Sequence, residues 1–337
     1  MIKDSTEFIK NMPKVELHLH LEGAFTFEFL YRLIEKYGGD PAISSIADIE
    51  NKFIFKDFPH FIETWFWKNQ FFRSPEDFEA STYFTLENLN RQNVIYAEVF
   101  FSPWDFVQFG LQVEAITEAI LSGINRAKND FGINCQLIAD LCRDYGEETV
   151  IDRFKQIIPY RDQGLIGIGL GGSEQKFPPE PFEAVYKLAA RRDFHRVAHA
   201  GEAAGPESIW GAIEKLGVER IGHGVRAVED QKLVEFLKEK QIPLEICVTS
   251  NLKTGVFHSI QVHPIKQFFD NGLFVTINSD DPTMFGTTIT EEYMLLNEKL
   301  NFSSESIRKL CLNAIDASFL SSAEKQNYKN KFFNIIS

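Results

Sequence analysis

The chain has 337 residues, 44% of them hydrophobic, which is ample for one large core and admits a barrel of ~250 residues with insertions. Its formal net charge of −13 argues against nucleic acid or an anionic membrane surface as partners, because no basic excess is left to neutralise phosphates. Cys135, Cys142, Cys247 and Cys311 form no CxxC pair or disulfide framework, residues 1–14 lack a signal-peptide core, and no apolar run could span a bilayer, so a cytoplasmic protein is expected.

Short apolar strands alternate with helical patterns along the chain. The first strand is expected at 15–20. Residues 21–93, rich in aromatics, are the one long gap and read as a helical cap over one end. Strands are then expected at 94–101, 133–141, 166–172, 196–202, 220–224, 243–250 and 274–280. Between them run helical stripes: Val113, Ile116 and Ile120; Val150, Phe154, Ile157 and Ile158; Phe182, Val185, Tyr186 and Ala189; Ile209, Ala212, Ile213 and Leu216; Ile265, Phe268 and Phe269. Pro206 opens the fourth stripe and Gly217 closes it. Helices are expected again over about 303–335. Eight strand–helix alternations predict α/β architecture, a (β/α)8 TIM barrel in one domain over 1–337 with the cap inserted after strand 1.

In such a barrel, catalytic groups belong at the C-terminal ends of strands, and polar residues collect there. Along Val15-Glu16-Leu17-His18-Leu19-His20-Leu21 the leucines face one way and His18 and His20 the other. Two such imidazoles make either a metal-ligand pair or two hydrogen-bonded core histidines. His199 adds a third nitrogen and Asp280 an oxygen, a set that suits Zn2+ with room for a water, though iron, cobalt or manganese also accept N/O ligands. A metal there would lower the pKa of that water. Glu202 follows His199 by three residues, across Gly201. Asp280 and Asp281 would repel each other in one pocket unless a cation binds one or a proton neutralises the other; alternatively they cap a helix after Pro282. His223 ends the sixth strand. Phe58, Phe61, Ile62 and Trp65 share one helical stripe in the cap, as core packing, lid, or both. His60, His195, His258 and His263 receive no catalytic role.

The ordered motifs MPKVELHLHLEGAF, HAGE, RIGHG and NSDDP, from Pro13 to about Glu292, resemble the adenosine deaminase family of the metal-dependent amidohydrolase superfamily. The resemblance implies one Zn2+ per chain, held by His18, His20, His199 and Asp280. It implies that Glu202, protonated through burial, donates to purine N1. His223 would orient or deprotonate the attacking water, Asp281 would donate to N7, and the Gly172 backbone would meet N3. His20, Glu22 and the stripe Phe58, Phe61, Ile62 and Trp65 would line the substrate. The implied reaction is hydrolytic deamination of adenosine, or a close 6-aminopurine nucleoside, at C6, to an inosine-type product and ammonia. The segment Gly169–Glu174 lacks the bridging lysine of binuclear relatives, so one metal is implied, Glu174 being the sole nearby candidate for a second.

Two positions point different ways on the substrate: Glu22 departs from the nucleoside-specific pattern and Gly171-Gly172 from the adenine-specific one. Glu22 stands where nucleoside-specific members carry Asp against the ribose 5′ hydroxyl, and adenine-specific relatives carry Glu. Those relatives, however, have Asp-Ser where this chain has Gly171-Gly172. Adenine and 6-aminodeoxyfutalosine are therefore the alternative substrates, and a metal-binding homologue without catalysis is the distant one. The retention of every ligand and of Glu202 speaks against that last reading. Nothing in the pattern specifies an oligomeric state.

Overall fold

The computed structural model describes residues 5–336. Eight strands, β1 (Lys14–Glu16), β2 (Val94–Phe101), β3 (Asn134–Asp140), β4 (Leu165–Gly169), β5 (His195–Ala200), β6 (Arg220–His223), β7 (Leu244–Ile246) and β8 (Val275–Ile277), pair in parallel in chain order. The ring closes just beyond the β1 and β8 ladders: Asp280 N–H donates to His18 C=O and His20 N–H to Asp280 C=O, each 2.9 Å. The expected (β/α)8 barrel is what the chain forms.

Every expected strand is present, but several end early, for one recurring reason. Side chains take backbone donors that a ladder would otherwise use. Leu17 N–H goes to Asn278 Oδ1 and His18 N–H to Glu16 Oε1, so β1 stops at Glu16 and His18 and His20 sit on the extended segment after it. The segment expected as strand over 243–250 turns helical at Val248, and the Glu292 carboxylate accepts from Thr249 N–H in that first turn. Segment 274–280 likewise loses Ser279 N–H to Glu16 Oε1 just past β8, whereas segment 166–172 ends as strand at Gly169 with Arg143 N–H still donating to Gly171 C=O.

The helices, in chain order, are α1 (Ser5–Asn11), α2 (Phe27–Lys36), α3 (Ile46–Lys52), α4 (Phe58–Asn69), α5 (Pro75–Arg91), α6 (Val113–Phe131), α7 (Val150–Ile157), α8 (Glu183–Ala190), α9 (Pro206–Gly211), α10 (Gln231–Lys240), α11 (Val248–Lys253), α12 (Ile265–Asp270), α13 (Pro282–Phe285), α14 (Ile289–Leu300), α15 (Ser304–Ala317) and α16 (Ser322–Ile336). Four of them, α2 to α5, occupy the long gap. Asp57 caps α4 by accepting from His60 N–H at 2.9 Å, with Pro59 in the first turn. α4 buries Phe61, Trp65, Lys68 and Asn69. α5 packs on α6 at Gly123, where a Cβ would lie 2.7 Å from Glu79 C=O, so only glycine permits that approach.

The barrel floor is polar. Arg220, buried, donates to Glu98 and, at 2.6 Å, to Glu245 Oε1, and its guanidinium stacks 3.8 Å over Phe319. The other oxygen of Glu245 lies 2.7 Å from His18 Nδ1. One cation thus serves two buried carboxylates, and one of these holds the first site histidine. Arg220→Met would leave Glu98 without its cation and Glu245 with His18 alone. It should cost about 3–5 kcal/mol, read from urea-unfolding midpoints.

Candidate active site

Five side chains converge at the C-terminal mouth of the barrel. With its Nδ1 taken by Glu245, His18 turns Nε2 toward His199 Nε2 (3.1 Å) and Asp280 Oδ1 (3.5 Å). His20 Nε2 lies 3.1 Å from His199 Nε2 and 3.4 Å from Asp280 Oδ1. His18, His199, His223 and Asp280 also place ligand atoms within 4.8 Å of one another.

These residues fit a metal ion. Lone pairs on imidazole nitrogens 3.1 Å apart repel unless a proton or cation lies between them. Burial pushes His20 down to about 3 and His199 well below its ordinary value, so these two rings are neutral and have lone pairs to give; it also lowers His223 to about 4. His18 is pushed up to about 10: burial opposes this, but hydrogen bonds to Asp280 and Glu245 outweigh it. Burial pushes the Asp280 carboxyl up, but the His18 hydrogen bond and the surrounding imidazoles hold it well below the carboxylate range. A cation at this point would replace the proton that His18 and Asp280 share. The His18–Glu245 contact is the usual carboxylate support behind a ligating imidazole.

Two further carboxyls are pushed the other way. Burial, then the neighbouring Asp280 charge, raises both Glu202 and Asp281 well above the carboxylate range, Lys68 partly opposing this at Asp281. Glu202 Oε2 is 3.6 Å from His223 Nε2. The three neighbouring acids are thus driven apart, one toward the ionised form beside imidazoles and two toward the protonated form.

Backbone geometry aims these groups. His223 (φ 60°) and Asp280 (φ 62°) are left-handed although neither is glycine, and Gly172 (φ 96°) and Gly201 (φ 71°) turn the ends of the β4 and β5 segments. Glu174 is not free to hold a second metal. Its two oxygens accept from the N–H groups of Gly201 (2.5 Å), Glu202 (3.1 Å), Ala203 (2.8 Å) and Ala204 (2.9 Å), which pins the loop carrying Glu202.

The cavity above spans about 630 Å3, counting its open mouth. His20, His199, Glu202, His223, Asp280 and Asp281 form its floor. Gly171 and Gly172 with Asp140, Cys142 and Asp144 form one wall, and Ser102, Asp105 and Ser250 complete the polar lining. Phe58, Phe61, Ile62, Trp65 and Phe66 from α4 form the apolar side, so this stripe both packs the cap and faces the cavity. No lysine or arginine lines it. Gly172, expected to offer its backbone, is in place. Glu22 is not in the lining: it is buried, accepts from Ser102 N–H at 2.8 Å, and lies near buried Lys68. Burial raises its carboxyl to about 7.

Several site residues escaped the sequence reading. Asp140 ends β3, where the strand-end rule alone could have flagged it. Its carboxylate would lie 2.3 Å from a Cβ on Gly171, which is why glycine is needed there. Asp105, which accepts from Trp65 Nε1 (2.9 Å), Asn69 (3.0 Å) and Tyr145 (2.9 Å), lies in the 3-10 helix Pro103–Phe109 that follows β2, past the strand end and with no local signature. Glu245 and Glu174 act through others and leave no motif. Among the described residues all four cysteines are free and buried, and no helix is long and apolar enough to cross a membrane.

A family model described as adenosine deaminase matches residues 13–334. The adenine deaminase of Vibrio parahaemolyticus is 36% identical over 324 residues, 96% of each chain. The crystal structure of adenine deaminase from Arthrobacter aurescens aligns with a TM-score of 0.91 at 31% identity, over 96% of this chain and 98% of that one. A zinc-bound amidohydrolase from Burkhoderia ambifaria aligns with a TM-score of 0.91 at 26% identity, over 100% and 94%.

Glu174→Gln would set an amide donor against backbone donors. It should cost about 1–3 kcal/mol locally, seen as faster amide exchange at residues 201–204 with little change elsewhere. Unchanged protection would rule out the pinning role.

Proposed function

The chain belongs to the adenosine deaminase family and is a hydrolytic deaminase of an aminopurine; we propose that its preferred substrate is free adenine, with adenosine the weaker one. The observation that carries this is the cavity's lining. Two protonated carboxyls flank a buried His/His/His/Asp cluster, a pairing suited to the ring nitrogens of a 6-aminopurine. Beyond them the wall holds acids and hydroxyls but no cation. Glu22, the residue at the ribose-recognition position, is buried outside the lining, with one oxygen held by Ser102 N–H. Asp105, Asp140 and Asp144 line the cavity without any lysine or arginine, so a phosphate on the sugar would meet like charge. The names of the Vibrio parahaemolyticus relative and the Arthrobacter aurescens structure support the same reading. The expectation of adenosine is thereby shifted toward the free base.

In this reading His18, His20, His199 and Asp280 would hold one zinc ion, and the three-nitrogen, one-oxygen donor set and the zinc-bound Burkholderia neighbour support that choice. When bound, the metal supplies a water of lowered pKa at the cavity floor. The remaining work belongs to the chain. Glu202 donates its proton to N1, which makes C6 electrophilic as oxygen adds there. Asp281 donates to N7 and fixes the ring's orientation. The two protons of the adding water balance the step: one restores Glu202 and the other passes to the amino group, so that the tetrahedral carbon collapses, the C6–N bond breaks and ammonia leaves behind a 6-oxopurine. The stripe Phe58, Phe61, Ile62 and Trp65 excludes bulk water, so these hydrogen bonds act in a low dielectric. Gly172 would present its backbone to the far edge of the purine.

Side-by-side ammonia release from adenine, adenosine, 6-aminodeoxyfutalosine and AMP by the zinc-loaded protein tests the substrate. Adenine should lead adenosine in kcat/KM by on the order of 10²-fold. A lead for adenosine would overturn the assignment, and turnover of none would overturn deamination altogether. Glu202→Gln should bind zinc at unchanged stoichiometry yet lose about 10²–10⁴-fold in kcat. Full activity in that variant would remove Glu202 as the proton donor.

A further inference from the structure

His223 lies at the cavity floor, but its far nitrogen leads away from the cavity through two residues the reaction does not touch. His223 Nδ1 is 3.1 Å from Asn251 Nδ2, on α11. Asn251 Oδ1 is 3.2 Å from His263 Nε2. His263 Nδ1 accepts from the backbone N–H of Ile265, at 3.2 Å, in the first turn of α12. Asn251 and His223 are 0% exposed and His263 4%, so this chain of hydrogen bonds runs away from bulk solvent.

The polarity of this chain is set at its far end. A backbone N–H can only donate, so His263 Nδ1 must be the bare nitrogen and the ring hydrogen must sit on Nε2. A doubly protonated His263 would put N–H against N–H, and burial, which lowers its pKa to about 3, opposes that form. His263 Nε2–H therefore faces the Asn251 carbonyl. The reverse orientation of the amide would set its NH₂ against that donor. Asn251 Nδ2 must then donate to His223 Nδ1, and the neutral ring of His223 carries its hydrogen on Nε2. That Nε2 has no hydrogen-bond partner in the protein and points between Glu202 Oε2 (3.6 Å) and Asp280 Oδ2 (3.8 Å).

We propose that His263 and Asn251 are positioning residues that lock His223 as the Nε2–H tautomer, so that it faces the reacting centre as a hydrogen-bond donor. In that form it offers no lone pair to a metal and cannot take a proton from water at Nε2. Its hydrogen is presented instead to the oxygen arriving at C6. This separates His223 from the four ligands named above, although it lies within their reach, and it selects orientation over deprotonation as its role. The inference rests on the deaminase reading only for what the donor is used for. The tautomer itself is independent of substrate.

The test is a long-range 1H–15N correlation spectrum of the zinc-loaded full chain labelled with 15N-histidine, with His223 assigned by its loss in His223→Gln. The expected pattern is a pyridine-type Nδ1 and a pyrrole-type Nε2. A bare or zinc-coordinated Nε2 overturns the proposal, whether or not adenine is a substrate. Asn251→Asp is isosteric and presents only acceptors. It should invert the tautomer and lower kcat about 10–100-fold with little change in KM. Retention of Nε2–H with full kcat in that variant would also overturn the lock. His263→Gln keeps a donor for the Asn251 carbonyl and should retain the wild-type tautomer, whereas His263→Leu should mix the two. If a variant does not fold, the wild-type spectrum decides alone.

Discussion

A carboxyl group removed from water must find a cation, a set of N–H donors or a proton, and the barrel mouth holds acids of all three kinds. Asp280 stays ionised because imidazoles surround it. Glu245 is shared between Arg220 and His18. Glu174 is wrapped by four backbone amides. Glu202 has none of these and Asp281 only the opposing charge of Lys68, so burial drives both toward the protonated form. The division between acceptor acids and donor acids is thus set by what each is packed against, and it is this division that turns a cluster of like residues into a site with distinct roles.

The same logic runs vertically through the barrel. Arg220 at the floor fixes Glu245, Glu245 fixes the ring of His18, and His18 faces the cluster at the mouth. Every link along this line is buried, and Glu245 joins its two neighbours by giving one oxygen to Arg220 and the other to His18. Above the cluster the requirement is different. The α4 stripe must be apolar enough to exclude water and loose enough at the mouth to admit a ligand, and it supplies aromatic rings with no charge of their own.

The barrel and the chemistry at its mouth were legible because both leave local patterns. Period-two alternation placed His18 and His20 together, and strand–helix alternation gave eight parallel strands. Strand ends were overrun because the competing acceptors come from far away: Asn278 takes Leu17 N–H and Glu292 takes Thr249 N–H, and neither partner is near in sequence. The same distance hid Glu245 and Asn251, and left Glu174 read only as a candidate second ligand and His263 as a histidine without a role, since the importance of all four lies in what they touch. Glu22 shows the converse. It sits in a recognisable motif, but its direction depends on Ser102 and Lys68, which no motif includes.

His223 and Asp280 hold left-handed backbone angles that cost a non-glycine residue of order 1 kcal/mol or more each. A selection for thermal resilience alone would drift toward glycine at these two places and relax the chain. The fold therefore carries a standing conflict between durability and chemistry, located at two Cα atoms. A programme to harden this protein would do well to treat residues 223 and 280 as immovable and seek its gains on the outer helices.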